Sequence, residues 1–300
     1  MENLCCFVNS RGILKSCDFH SNNPKSSCNY DKDYLFEMLN TMFDGMSIYV
    51  CSELLHFFVR DILKKITKNF VLVSGDSDLC VPKEALSQRE FETLINSSKL
   101  IKWFAQNTRI QNISKMVQLP IGLDYHTISN NPYYKWKLPD EGNLPDAQEL
   151  ILKNIKENAQ PFYDRIPKIY VNFSKENDRF KDRVNSLNGI PNNLIIFNDT
   201  FTKRTVNWNL MSKYAFVLSP FGNGLDCHRT WEALCLGCIP IVCAPNFTKL
   251  FEELPVLNVN DWNEVTEELL NASIIKFKNS TFNLDKLLLS NWVKQIKNTK

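Results

Sequence analysis

The second half of the chain carries the strongest constraint on its fold. Five short apolar runs follow one another at 169–173 (IYVNF), 194–197 (LIIF), 214–218 (YAFVL), 239–243 (IPIVC) and 256–259 (VLNV). Segments of helical character, about 176–188, 202–212, 227–236, 246–253 and 261–271, lie between and after them. Apolar runs of this length without alternation read as strands buried on both faces, and strand–helix alternation at this spacing predicts a parallel sheet covered on both sides. Such a sheet binds its ligand beyond the carboxyl ends of the strands, where the strand order reverses.

The first half repeats the theme less regularly. Residues 47–51 and 70–74 read as strands, and between them Leu54, Leu55, Phe58, Ile62 and Ile66 fall at helical spacing. A second helix is expected over about 83–97 with Pro82 near its start, and 116–121 (MVQLPI) reads as a strand weakened at its end by Pro120. The opening run 4–8 reads as a first strand, and 129–148 as a long irregular loop whose Tyr133, Tyr134 and Trp136 either stack on a sugar or pack on their own domain. Leu284, Leu287, Leu288, Val293 and Ile296 place an apolar stripe on a closing helix. A chain of 300 residues fits two domains at ~100–200 residues each. The expected class is α/β: one Rossmann-like domain over 1–155, a second, ligand-binding one over 156–300, and a ligand cleft between them.

Charge and cysteine usage narrow the function classes. A formal net charge of +2 gives no general pull toward nucleic acid or an anionic membrane, so neither is an expected partner. The start, MENLCCFVNS, has no basic region before an apolar run, and no stretch approaches the ~18 apolar residues of a membrane span; a soluble, cytoplasmic chain is expected. Of ten cysteines, Cys5, Cys6, Cys51 and Cys243 sit in apolar runs, where free cysteine behaves as a small hydrophobe. Cys235 and Cys238 form a CxxC near Cys227 and His228, but the pair brackets a helix end and a tight turn rather than converging with further ligands, so no metal is expected.

The chemistry concentrates in 217–245, VLSPFGNGLDCHRTWEALCLGCIPIVCAP. A buried strand ends at Ser219-Pro220, and Gly222, Asn223 and Gly224 follow. Closely spaced glycines take positive φ readily and gather N–H groups into an anion-binding nest. A helix starts near Asp226–Cys227 and turns its free N–H groups and positive dipole end toward the same loop. Arg229 lies in its first turn, with His228 beside it, and Glu232 shares a face with Arg229. A diphosphate suits the Arg and the N–H groups, and a ribose diol suits the carboxylate, which together describe a nucleoside diphosphate. An intrahelical Arg229–Glu232 ion pair over a plain tight turn is the alternative.

At Ser-Pro-x-Gly, Arg-x-x-Glu-Ala-Leu and Gly-Cys-Ile-Pro-Ile-Val, Ser219 through Val242, the chain resembles the exostosin-like glycosyltransferases, a GT-B family. Fainter likeness extends to Lys168–Arg183, to 102–107 and to 119–124. The resemblance implies that Glu232 contacts the ribose, that Arg229 and nearby basic groups hold the diphosphate, that the donor is a nucleotide sugar (a UDP-sugar first), that a glycan is the acceptor, and that no cofactor is needed.

Further candidates flank this motif. Ser174, Lys175, Arg179 and Arg183 follow the strand at 169–173 and either reach the diphosphate from the opposite side, Arg179 foremost, or form a solvated helix start. Asn198-Asp199-Thr200 either borders the base or caps a helix. A transfer with inversion needs one general base across the cleft. Asp124 and His126 in Gly-Leu-Asp-Tyr-His, and Asp76 and Asp78 in Ser-Gly-Asp-Ser-Asp, are the candidates, with Asp124 slightly favoured; Asx-turns and strand-end caps are the competing roles.

Overall fold

The computed structural model describes residues 1–21, 32–131, 142–198, 200, 202–245 and 248–299; Tyr133, Tyr134, Trp136 and Asp199 lie outside the described residues. Two parallel sheets organise the chain. The first contains β1 (Met46–Cys51), β2 (Phe70–Gly75), β3 (Leu100–Ala105) and β4 (Met116–Gln118) in the order β1-β2-β3-β4. The second contains β5 (Ile166–Val171), β6 (Ile195–Phe197), β7 (Tyr214–Leu218), β8 (Ile239–Val242) and β9 (Leu257–Asn258) in the order β6-β5-β7-β8-β9. Every ladder is parallel, with Met46 opposite Phe70 in the first sheet and Phe216 opposite Ile239 in the second. All residues of β2 and β8 are buried, which is why their sequences read as unbroken apolar runs.

All five strands expected in the second half form. The strand order reverses between β5 and β7, because the chain leaves β5 for β6 on one side and returns to β7 on the other. Core packing joins the two sheets: Tyr49, Val73 and Phe104 share one buried cluster with Tyr170, Val217 and Trp231. The helix Pro145–Asn158 packs against Arg204–Met211 and His228–Cys235, and the last helix, Leu289–Asn298, returns to pack on Ser10–Ser16. Among the described residues no helix is long and apolar enough to cross a membrane.

Several elements differ from the sequence reading for local reasons. The opening run is not a sheet strand: Phe7 and Asn9 make only isolated bridges, to Leu288, Gly122 and Leu123. The Glu149 carboxylate takes the Cys6 and Phe7 N–H groups at 2.9 and 2.7 Å, and Asn9 caps the helix Ser10–Ser16 by accepting from Gly12 N at 2.6 Å. The stretch Ser52–Lys65 keeps its apolar face but winds as successive short turns of differing pitch. Pro82 does not start the next helix; a capping box of Ser87 and Glu90 starts it at Gln88, and it ends at Ile95. Strand β3 has no counterpart in the sequence reading, because Lys102 interrupts its apolar run. The expected helix at 261–271 begins at Glu267 under a Thr266 cap, and that at 176–188 begins at Asp182.

Candidate functional site

A cleft of about 320 Å³ opens at the carboxyl ends of both sheets. One wall is the loop after β5, with Asn172, Phe173 and Ser174, beside the glycine loop and helix that follow β7. The other wall comes from the first sheet and includes Asp78, Ile121 and Asp124. The cleft therefore lies where the order of the second sheet reverses, the place at which an open parallel sheet exposes strand-end loops to a ligand.

Four carboxylates (Asp78, Asp124, Asp226 and Glu232) and three guanidiniums line it; Arg204 pairs with Asp124, and the other two guanidiniums are Arg183 and Arg229. Arg183 is 7% exposed and donates from Nη1 to the Ser174 carbonyl at 2.5 Å, while its Nε is buried without a hydrogen-bond partner. Arg229 donates from Nε to the Asn172 carbonyl at 3.3 Å, and its buried Nη1 likewise has no partner. Both groups lie over the Phe173 ring, at 5.4 and 5.1 Å from its centroid. Neither has a carboxylate within the 4.0 Å of an ion pair among the described residues. Burial pulls the Arg229 pKa down to about 10, and burial lowers that of Arg183 as well. Both remain cations at neutral pH, desolvated and short of partners. Such groups are costly unless an anion completes them. The alternative, an intrahelical Arg229–Glu232 ion pair, is not formed; Glu232 lines the cleft and its carboxylate makes no hydrogen bond or ion pair among the described residues.

The glycine loop serves this pair through space rather than through backbone conformation. Neither Gly222 nor Gly224 has the left-handed φ expected for a nest. A Cβ on Gly222 would stand 2.6 Å from Arg183 Nη2, and one on Gly224 would stand 3.1 Å from the Asn107 amide and 3.3 Å from Asp78 Oδ1. Several loop N–H groups are occupied: Asn107 Oδ1 accepts from Leu225 and Asp226 at 3.0 and 2.9 Å, and Asp182 Oδ2 accepts from Phe221 at 2.8 Å. Asn223 is exposed on the loop. The helix His228–Cys235 has no side-chain cap at Cys227, which leaves its first turn open to a ligand. The substitution Gly222→Ala is expected to displace Arg183 and weaken anion binding roughly tenfold or more, for a local overpacking cost of ~1–3 kcal/mol. Isothermal titration with a nucleoside diphosphate, alongside an unchanged far-ultraviolet circular dichroism spectrum, measures this.

Asp226 and His228 join the halves of the molecule. Asp226 is 4% exposed, accepts from Ile121 N at 2.8 Å and from Trp231 Nε1 at 2.9 Å, and is pushed up to about pKa 6 by burial. His228 Nδ1 lies 2.7 Å from the Gly122 carbonyl, an acceptor only, so Nδ1 carries the proton and Nε2 is the atom left for a ligand.

Across the cleft Asp124 heads a cluster of titratable groups whose other members, His126 and Asp76, are not among the cleft-lining residues. Asp124 pairs through Oδ2 with Arg204 Nη2 at 3.1 Å, and its Oδ1 takes Thr127 N at 3.0 Å and meets His126 Nδ1 at 3.2 Å. Burial opposes its charge, but His126, Arg204 and His228 outweigh burial and hold the carboxyl below the usual range. Burial, partly offset by Asp124, lowers His126 to about 4. Asp76 follows β2 with φ 56, pairs with the buried Arg11 at 3.1 Å, and is raised to about 6 by burial against the pull of Arg11 and His228. Asn107, just past β3, has φ 52. Two non-glycine residues in the left-handed region at adjacent strand ends mark backbone bent to aim side chains.

Two expected binding residues stand outside the cleft lining. Arg179 ion-pairs with Glu84, and Ser219 is buried with its hydroxyl 2.7 Å from that of Thr230. Lys175 lies over the Phe197 ring at 5.0 Å. The sequence assigns no role to Phe173, Asn107, Arg204 or Arg11, although Phe173 and Asn107 lie in the segments of fainter likeness. Cys235 and Cys238 are buried free thiols, the latter accepting from Arg165 Nη1 at 3.1 Å.

No family model matches the chain, and no curated protein matches it. Among solved structures it is similar to one described as an OtsA apo structure, with a TM-score of 0.34 and 10% identity over 90% of this chain and 75% of that one. At that level nothing about chemistry or family transfers, and the exostosin-like resemblance rests on the residues of 217–245 themselves.

Proposed function

We propose that the chain is a GT-B-type glycosyltransferase moving a sugar from a nucleoside-diphosphate sugar to a hydroxyl of a saccharide or glycoconjugate, with inversion and without a metal. The observation that supports this reading is the pair of desolvated guanidiniums, Arg183 and Arg229, each with an unpartnered N–H and no ion-pair partner within 4.0 Å among the described residues. A diphosphate supplies the missing charge, and the open first turn of His228–Cys235 adds N–H donors. Glu232 lies three residues beyond Arg229, a helical rise of ~4.5 Å, which suits a ribose joined to that diphosphate. The guanidiniums and helix end also stabilise the diphosphate as it leaves.

In this reading the acceptor oxygen attacks the anomeric carbon, the bond to the diphosphate breaks, and the acceptor proton passes to a carboxylate of the first sheet. Asp124, which lines the cleft, is held too acidic by its cationic neighbours to serve well; Asp76, outside the lining and paired with Arg11, has the basicity required at about 6 and is the candidate to receive the proton. Activity is then expected to rise with pH through about 6, tenfold per unit below it, as Asp76 loses its proton. Asp76→Asn should abolish transfer and leave nucleotide affinity intact. A wild-type pH–rate profile with no limb near 6 counts against this residue.

The donor site is tested by thermal shift with UDP, GDP, ADP, CMP and their sugar conjugates, with and without EDTA. Binding raises stability by about RT ln(1 + [L]/Kd). Glu232→Ala is expected to weaken the best nucleotide roughly tenfold to a hundredfold, the loss of a charged hydrogen bond of ~1.5–3 kcal/mol. Preference for GDP would favour a fucosyltransferase-like donor; binding with neither transfer nor donor hydrolysis would make the protein a non-catalytic binder. No shift with any nucleotide would remove the transferase reading.

A further inference from the structure

A second cavity, of about 720 Å³, adjoins the cleft. No residue lines both, but the chain links them: Asp78 and Gly224 line the cleft, while Cys80 and Leu225, two residues and one residue further on, line the cavity. Its volume falls in the ~300–1,000 Å³ range of small-molecule sites. Val81, Leu86, Phe91, Ile110, Phe180 and Leu225 make its surface largely apolar, with the last two contributed by the second half of the chain.

The charges at this cavity are unbalanced. Glu84 is neutralised by Arg179, an ion pair that ties the first half of the chain to the second. Lys83 and Arg109 are exposed and have no ion-pair partner among the described residues. Arg109 is nevertheless placed: its guanidinium lies 5.5 Å from the Phe221 centroid, and Phe221 packs edge-on against Phe180 at 6.0 Å. An apolar chamber with two uncompensated cations, one held on an aromatic pair, is complementary to an amphipathic anion.

Resting on the nucleotide-sugar reading of the adjoining cleft, we infer that this cavity receives the non-sugar part of the acceptor, and that the acceptor is a small glycoconjugate with an apolar or aromatic body and an anionic group. Its hydroxyl would enter the cleft past Asp78 and Gly224. An unmodified neutral oligosaccharide brings no anion to Lys83 and Arg109.

The fluorescent probe 8-anilinonaphthalene-1-sulfonate combines an aromatic body with an anion and reports directly on the cavity. Saturable one-to-one binding to the folded protein is expected. Arg109→Glu and Phe180→Ala should each weaken it at least tenfold with the cooperative melt retained, while Arg229→Met leaves it unchanged. Phenyl glucuronide, an aryl group and a carboxylate on a sugar, should displace the probe, and maltotriose should not. Probe binding insensitive to both cavity variants, or displaced by nucleotide, overturns the assignment, as does displacement by maltotriose or none by phenyl glucuronide. Nucleotide thermal shift on the same samples reports on the cleft separately: a protein that binds the probe but no nucleotide has a ligand cavity and not an acceptor site.

Discussion

Arg229→Met is expected to lower nucleoside-diphosphate affinity by at least about thirtyfold while leaving the unliganded protein as stable as before or more so. Truncating one partner of a buried, hydrogen-bonded charge pair costs ~2–5 kcal/mol of binding. In the unliganded protein Arg229 is a desolvated cation whose Nη1 has no partner and whose charge is opposed by Arg183. Methionine keeps much of the packing against Phe173 and removes the charge, and replacing buried ions by apolar side chains of similar volume is often neutral or stabilising by ~1–4 kcal/mol. Removal of the hydrogen bond to the Asn172 carbonyl offsets part of that gain. Calorimetric titration paired with thermal melts separates the two effects. Arg183→Met should behave alike, and the double variant should lose less affinity than the sum, because both groups serve one anion. A fall in Tm of ten degrees with affinity retained would instead make Arg229 a structural residue.

Arg204→Met is expected to destabilise the protein by ~3–5 kcal/mol, the usual cost of stripping one member from a buried ion pair. Arg204 is 6% exposed and donates to the Asp124 carboxylate at 3.1 Å, to the Asp124 carbonyl, and to Gln148 Oε1 at 2.7 Å. Its loss leaves all three acceptors without that donor. At ~2–4 °C per kcal/mol for a chain of this size, Tm should fall by roughly 10 °C. The pH dependence has a definite sign. Asp124 in the wild type is held below its unfolded pKa, so its contribution is present above that value and is lost only as the pH falls through the lower, folded pKa. Without Arg204 burial raises the Asp124 pKa, and the penalty is felt where Asp124 would otherwise be charged. The gap between variant and wild type should therefore narrow from pH 7 toward pH 4, read by urea denaturation at each pH. A gap that widens on acidification would show that Asp124 is not the carboxylate Arg204 neutralises.

Much of this arrangement was legible one segment at a time. The runs at 169–173, 214–218 and 239–243 announced buried parallel strands because each is apolar on both faces, and the turn after Ser219 announced the start of the helix carrying Arg229 and Glu232. These are short-range properties, written within ten residues or so. Local reading put Arg179 ahead of Arg183, and the structure reverses their places. They sit four residues apart in one charged loop, yet one is drawn out to Glu84 and the other is folded inward over Phe173. The Asp178 carboxylate between them accepts from Arg183 N and Val184 N at 3.0 Å and holds the start of the helix that carries Arg183.

The remainder depends on how the two sheets pack together. Asn107 holds the glycine loop from 118 positions away, and Asp124 meets Arg204 across 80. Local periodicity dictates which face of a strand or helix is buried, because hydrophobic burial needs only a side chain's direction and not the identity of its neighbour. Ionic and hydrogen-bonded pairing is short-ranged and directional, so it takes effect once separate elements lie within a few ångströms. That is why the strands, the glycine loop and the candidate residues around Arg229 were readable from order alone, whereas the unpaired cations, the acidic Asp124 and the basic Asp76 acquire their character from the assembled molecule.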